Sequence, residues 1–299
     1  MKFRDNPYIL LALAALFWSG NHIVGRAIHG VVPPIGISAL RWALPSIALF
    51  FLARAQIKRD WPAIRAHWKT MLWLVVTGGA LFTTLQYVGL QYTSALNVSV
   101  LNSLVPVLIV AAGTIIFRDR ITPMQLAGIA TSSAGVLVII AHGELAQLKT
   151  LQFNWGDLII VFNMAVFSIY AACLRLSPKI HWLSFMFVFG TISALATAPF
   201  WAWEAASGIT FHLTPLTIAA VIYVSIFPSV LAFAAWNRGA ELIGAIRSGP
   251  FLHLVPIYTA IIGTTLLGEH LALFHVIGFA LILAGVWLAS HKPKTAKLN

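Results

Sequence analysis

Leu104–Val136 reads LVPVLIVAAGTIIFRDRITPMQLAGIATSSAGV, and Leu254–Val286 reads LVPIYTAIIGTTLLGEHLALFHVIGFALILAGV. At an offset of 150, with no gap, ten of the 33 positions are identical. Leu104-Val105-Pro106 falls on Leu254-Val255-Pro256, Gly113-Thr114 on Gly263-Thr264, Gly128 on Gly278, Ala130 on Ala280, and Ala134-Gly135-Val136 on Ala284-Gly285-Val286. Asp119 against Glu269 keeps the charge. Upstream the likeness is weaker, at an offset of 149, with Trp18-Ser19 on Phe167-Ser168 and Arg26 on Arg175. One unit is written twice.

Working outward, the 299 residues are 60% hydrophobic and only 9% charged, with a mean hydropathy of +0.88. A water-facing surface cannot be built from that. With the 21 glycines added, about 200 residues are available to span lipid, roughly ten helices at about 20 residues each. The apolar runs predict spans at 8–28, 34–53, 71–91, 95–117 and 123–141, then at 156–175, 182–203, 215–236, 241–267 and 272–290. The first run resembles a signal-peptide core but is too long and lacks a small-residue cleavage site, so it reads as a retained helix. Five spans per copy is an odd number, so the second copy enters the bilayer from the opposite side. The expected fold is an all-α integral membrane protein of ten transmembrane helices in two inverted five-helix repeats. Residues 1–141 form the first repeat, 142–155 an external linker and 156–299 the second repeat. Inverted repeats of this kind are the architecture of many secondary transporters.

The formal charge of +11 follows from topology rather than from nucleic acid. With the amino end inside, 16 of the 19 basic residues fall in cytoplasmic segments, and both termini are expected to be cytoplasmic. Arg26 and Lys149 fall outside this set, and Arg41 lies within the second span.

Much chemistry is missing. Cys173 is the lone cysteine, which excludes disulfide frameworks and multi-cysteine metal sites. There is no Gly-Lys dipeptide for a Walker A loop, no HExxH and no GxSxG. Asp5, Asp60, Asp119, Glu144, Asp157, Glu204, Glu241 and Glu269 all fall in tails, loops or outer helix turns. Acid–base catalysis and tight ion coupling usually need carboxylates deeper in the membrane. The expectation is therefore a protein that is not an enzyme, with no cofactor and no metal. His22 and His253 remain as proton carriers or as ordinary hydrogen-bonding helix contacts.

The spans carry polar faces. On the fourth, Ala95, Ser99, Asn102, Ser103 and Pro106 share one face; on the ninth, Ala245, Gly249, Leu252, His253 and Pro256 do. Amides and imidazoles cost free energy in lipid, so such faces point to the bundle interior or to water, although small-residue stripes also serve packing. Trp18, Asn21 and His22 mark a face of the first span, Gln86 and Tyr87 of the third, Asn163 and Tyr170 of the sixth, and Ser225, Ser229 and Trp236 of the eighth. Trp236 reads equally as an interfacial anchor. Trp42, Trp61, Trp68, Trp73, Trp155, Trp182, Trp201, Trp203 and Trp287 read as interfacial anchors. Rings interleaved with amides suit a substrate with an apolar or π-bearing side chain and a zwitterionic head. Arg41, about seven residues into its span, is within snorkelling reach of the outer edge or else binds a carboxylate. Arg247 sits similarly near the inner edge as a gate or carboxylate contact. Gly128-xxx-Ser132 serves packing within the chain or a weak homodimer.

The paired segments quoted above, with Gly268-Glu269-His270, resemble the repeat signatures of the drug/metabolite transporter superfamily. The opening Trp18-Ser19-Gly20-Asn21 and Leu40-Arg41-Trp42 are similar to its ten-helix branch of bacterial aromatic amino acid exporters. That resemblance implies a central cavity ringed by all helices except the fifth and tenth. It also implies export of aromatic amino acids and methionine through the bacterial inner membrane, by alternating access. The expected substrate site comprises Trp18, Asn21, His22, Gln86, Tyr87, Ser99, Asn102, Asn163, Tyr170, Trp236, Arg247 and His253, and partners are limited to small molecules and the lipid bilayer. The alternative is efflux of lipophilic drugs or other small metabolites, driven by protons.

Overall fold

A computed structural model describes residues 6–28, 30–93, 98, 101, 102, 104–141, 154–208, 210–267 and 273–290. Ser99, Glu269 and the linker 142–153 lie outside them, as does the side chain of His22. The described residues form helices and no strand. In chain order these are α1 (Pro7–Ala27), α2 (Pro34–Leu52), α3 (Arg54–Ala66) and α4 (Trp68–Gly89). Next come α5 (Val105–Phe117), α6 (Pro123–Ile140), α7 (Trp155–Cys173), α8 (Trp182–Ala206) and α9 (Pro215–Ile243). Last are α10, built from Ala245–Ser248, Gly249–His253 and Leu254–Leu267, and α11 (Leu273–Ser290). Six of them, α1, α2, α4, α7, α8 and α9, are long and apolar enough to cross a membrane.

Side chains that satisfy orphan N–H groups set the helix starts. Thr122 and Gln125 form a reciprocal capping box ahead of α6, with Pro123 in its first turn. Asn154 and Asp157 do the same for α7, and Thr214 and Thr217 for α9. The start of α2 is capped from another helix: Glu204 at the end of α8 accepts from the N–H groups of Ile35 at 3.2 Å and Gly36 at 2.8 Å. At the other end of the same pair, Asp60 of α3 accepts from the His181 N–H and the Ser184 hydroxyl, each at 2.8 Å. Thus α2 and α8 run antiparallel, locked at both ends.

A second pair is antiparallel too. A Cβ built on Gly128 of α6 would lie 2.6 Å from the Gly285 carbonyl oxygen of α11, and one on Gly135 would lie 2.7 Å from that of Gly278. These helices touch backbone to backbone, so only glycine fits. The 150-residue offset carries Gly128 to Gly278 and Gly135 to Gly285, so exchanging the copies maps one contact onto the other. Other pairings obey the same exchange. The Ala232–Ile243 limb of α9 and the Leu254–Leu267 segment of α10 pack on α1, while the Phe82–Gly89 limb of α4 and α5 pack on α7. Both α4 and α9 contain a π-helical stretch, Val76–Leu81 and Ser225–Leu231, at equivalent positions.

The helices differ from the sequence reading in several places. The short amphipathic α3 was not expected; it follows Ala53 directly and exposes Trp61. The third span begins at Trp68 rather than 71, and the eighth runs on to Ile243, ending at Gly244 with φ +85°. Trp42 is no interfacial anchor: it is buried, and its indole N–H donates to Thr83 Oγ1 at 3.2 Å. Nor does Arg41 snorkel outward, being only 3% exposed. The Gly128-xxx-Ser132 stripe is covered by α11 of the same chain.

Candidate functional site

An aromatic cluster fills the space where α1, α2, α4, α7, α8 and α9 meet. Trp18 of α1 lies 5.6 Å from both Phe233 and Trp236, and 6.0 Å from Phe167, between ring centroids. Phe82 lies tilted against Phe167 at 4.6 Å, and Tyr170 lies 5.9 Å from both Phe167 and Phe189. Edge-on and tilted contacts of this kind suit the quadrupoles of the rings. The widened π turn of α9 holds Trp18, whose indole N–H donates to the Pro228 carbonyl at 3.1 Å.

Polar groups lie on either side of the rings. Towards the end of the bundle where Glu204 caps α2, the Tyr87 hydroxyl donates to Asn21 Oδ1 at 2.8 Å. Towards the opposite, basic end, the Tyr170 hydroxyl donates to Asn237 Oδ1 at 2.5 Å. Asn21 maps to Tyr170 at the 149 offset, and Tyr87 to Asn237 at 150. The same bridge between equivalent helices is thus built twice, with tyrosine and asparagine exchanged. Between the halves, Asn163 Nδ2 donates to Gln86 Oε1 at 3.0 Å.

Arg41 joins the first of these groups. Its Nε donates to Ser229 Oγ at 2.7 Å and its Nη1 to Tyr87 Oη at 3.2 Å. Its guanidinium carbon lies 5.7 Å from the Trp42 ring centroid and 5.8 Å from that of Tyr87. Several buried polar atoms here have no hydrogen-bond partner: Gln86 Nε2, Asn163 Oδ1, Trp236 Nε1 and Asn237 Nδ2. Unmet groups are costly unless something else meets them.

Of the expected site residues, the structure therefore brings together Trp18, Tyr170 and Trp236 in the ring cluster, and Asn21, Tyr87, Gln86 and Asn163 in the flanking polar groups. Trp236 is fully buried, which removes its reading as an interfacial anchor. Asn102 is half-buried on a helical turn preceding α5. His253 is buried in the 3-10 turn Gly249–His253, which packs on α1, α5, α6 and α11. Arg247 is half-buried on the short turn Ala245–Ser248, away from Arg41's partners. Sequence reasoning missed Phe82, Phe189, Phe233 and Asn237. The phenylalanines looked like any lipid-facing residues, and Asn237 fell just beyond the expected end of its helix. The available hint was Gly244, the first glycine after Trp236 that is followed by a fresh apolar run, which marks a later helix end than the one expected.

Two hollows, of about 410 and 380 Å³, lie elsewhere. One is at the start of α7 around Trp155 and the other is an apolar groove between α2 and α8 around Phe50 and Phe187. Neither is lined by a site residue. Among the described residues, no three His, Cys, Asp or Glu side chains group together as a metal site.

The sequence matches the model of the EamA-like transporter family twice, over residues 6–141 and 154–291. "Uncharacterized transporter YyaM" of Bacillus subtilis is 28% identical, over 98% of this chain and 96% of that protein. "Probable amino-acid metabolite efflux pump" of Salmonella typhimurium is 26% identical, over 95% of this chain and 94% of that one. A solved crystal structure, 21% identical, superposes with a TM-score of 0.69 over 95% of this chain and 96% of that one, and so shares the fold. This multi-pass membrane protein, with its two copies of one helical unit, belongs to the EamA-like transporter family of the drug/metabolite transporter superfamily.

Proposed function

We propose that the chain exports aromatic and other hydrophobic amino acids, methionine included, across the bacterial inner membrane by alternating access. The observation that carries this reading is the pair of Tyr–Asn bridges, Tyr87–Asn21 and Tyr170–Asn237, on opposite sides of one aromatic cluster. If one bridge opens while the other holds, the rings meet water on one side only. Two equivalent bridges make the two openings close in energy, as a carrier requires. Apolar rings beside unmet amide groups suit an apolar side chain carrying a polar head. The amino-acid class also draws on the name of the Salmonella relative.

Ten spans in two inverted repeats, 1–141 and 156–299 joined by an external linker, are supported by the antiparallel pairs α2 with α8 and α6 with α11. Helix α3 would then lie along the membrane surface. The basic end would face the cytoplasm, with both termini. His22, Ser99, Asn102, Arg247 and His253 are proposed to line the path at its wider points. Since α11 covers Gly128 and Ser132, that stripe serves packing within the chain, and a monomer or a weak homodimer through another face is the proposed working unit. The buried carboxylates Asp157 and Glu204 sit at helix ends and accept from backbone N–H groups as caps, which favours facilitated movement over ion coupling. A lipophilic cation as cargo fits less well, because Arg41 is a buried cation beside the rings.

Counterflow in proteoliposomes tests the reading. Tryptophan, phenylalanine and methionine loaded inside should drive uptake of labelled tryptophan without any imposed ion gradient, whereas a quaternary ammonium dye should not. Strict dependence on a proton or sodium gradient, or preference for the dye, would overturn it.

A further inference from the structure

We infer that Arg41 is the binding residue for a carboxylate on the transported molecule, an inference that deepens the amino-acid reading and rests on it for the transport step. Arg41 is 3% exposed and has no carboxylate partner among the described residues. The carboxylates of Asp60, Asp119, Asp157, Glu204 and Glu241 are each held elsewhere, by the Ser184 hydroxyl, Arg175, the Asn154 N–H, the Gly36 N–H and Arg238 respectively. A guanidinium does not shed its charge, and an unpaired charge in a low-dielectric interior is among the most costly groups a fold can hold. A site that retains one without an internal anion is prepared for an external one.

The neighbours are arranged for that purpose. Ser229 spends its proton on the Val224 carbonyl, five residues back across the π turn, at 2.6 Å. Tyr87 spends its proton on Asn21. Both hydroxyls are thereby left to accept from Arg41, at Nε and Nη1, so they aim the guanidinium without neutralising it. Nη2 makes no hydrogen bond with the described residues, which leaves part of the fork for a carboxylate, the geometry it matches best. The Trp42 and Tyr87 faces hold the cation in place meanwhile.

The location also fits. Helices α2 and α8 cross where Gly190 meets Trp42, a built Cβ lying 3.3 Å from the Trp42 carbonyl. Arg41 maps to Gly190 at the 149 offset, so the exchange of the two copies passes beside it, and the second copy has no arginine there. One cation thus stands next to the axis and beside the ring cluster, on its Tyr87–Asn21 side.

The test compares tryptophan, indole-3-propionate (carboxylate without ammonium), tryptamine (ammonium without carboxylate), methionine and its 2-oxo acid. Each is measured for binding to the purified full-length protein and for counterflow in proteoliposomes. Wild-type protein should bind the carboxylates at least about tenfold more tightly than tryptamine. Arg41→Gln should bring that ratio close to unity, with Arg41→Lys between, by weakening the carboxylates, while tryptamine, relieved of a neighbouring cation, binds no less tightly than to the parent. If wild-type protein binds tryptamine as tightly as tryptophan, or binds no carboxylate of the panel, the inference is wrong, whether or not the variants fold. If carboxylates bind through Arg41 but no amino acid is moved, the inference stands and the amino-acid reading fails. If amino acids are moved and Arg41→Gln keeps the parental ratio, the reverse holds.

Discussion

Replacing Tyr170 by phenylalanine removes one hydroxyl from the basic-end bridge. In the structure Tyr170 is fully buried and its hydroxyl donates to Asn237 Oδ1 at 2.5 Å, while Asn237 Nδ2 already has no partner. The variant leaves the whole Asn237 amide unmet, at a cost of about 1–3 kcal/mol that water repays once that end opens. The opening should then be populated roughly 5- to 150-fold more often. A reporter is built in: Cys173, the lone cysteine, is buried one turn beyond Tyr170 on α7. Its alkylation by N-ethylmaleimide in detergent micelles should accelerate by that factor, since the reaction must wait for opening. Tyr87→Phe breaks the opposite bridge and favours the other opening, so it should slow the same reaction. If both variants speed Cys173 alkylation, the hydroxyls merely stabilise the fold. If neither changes the rate by more than about twofold, the bridges hold nothing closed.

Gly135→Leu forces a side chain against the Gly278 carbonyl and the Ile282 amide, 2.7 and 2.8 Å from its Cβ, where backbone cannot yield. It should destabilise the protein by about 3 kcal/mol in detergent unfolding, whereas Ala127→Leu on the exposed face of α6 should be nearly neutral. A small effect at Gly135 would mean that α6 and α11 are not in backbone contact. The Asp60 carboxyl is pushed up by partial burial, but hydrogen bonds from His181, Ser184 and Arg59 outweigh this and hold it below its ordinary range. A lowered carboxyl stabilises the fold fully above its unfolded value, near 3.9, and loses that contribution as pH falls through the folded value. Melting in detergent should therefore decline more steeply below about pH 4 in the parent than in Asp60→Asn. Parallel pH profiles would remove this role from Asp60.

The repeat and most spans were legible because apolar run length and glycine spacing are properties of single segments. The placement of Asn21, Tyr87 and Tyr170 on inward faces followed from helical periodicity in the same way. What periodicity does not give is the neighbour a face meets. Trp42 and Arg41 were read by their distance from a helix end, yet the crossing of α2 and α8 buries both. The exchanged Tyr–Asn bridges were hidden because offsets of 149 and 150 both apply, and because Asn237 lay past the expected end of α9. Helix α3 carries too many charges to register as a span, so its residues were read only as a basic connection between the second and third spans.

The most direct measurement places the two copies relative to the bilayer. Single cysteines at Asn6 and Asn154, each in a Cys173→Ser background, are labelled with a membrane-impermeant maleimide in right-side-out and inside-out vesicles. Inverted copies require residue 6 to react from the cytoplasmic face and residue 154 from the opposite face. Labelling of both from one face would contradict inverted repeats and, with them, alternating access between the halves.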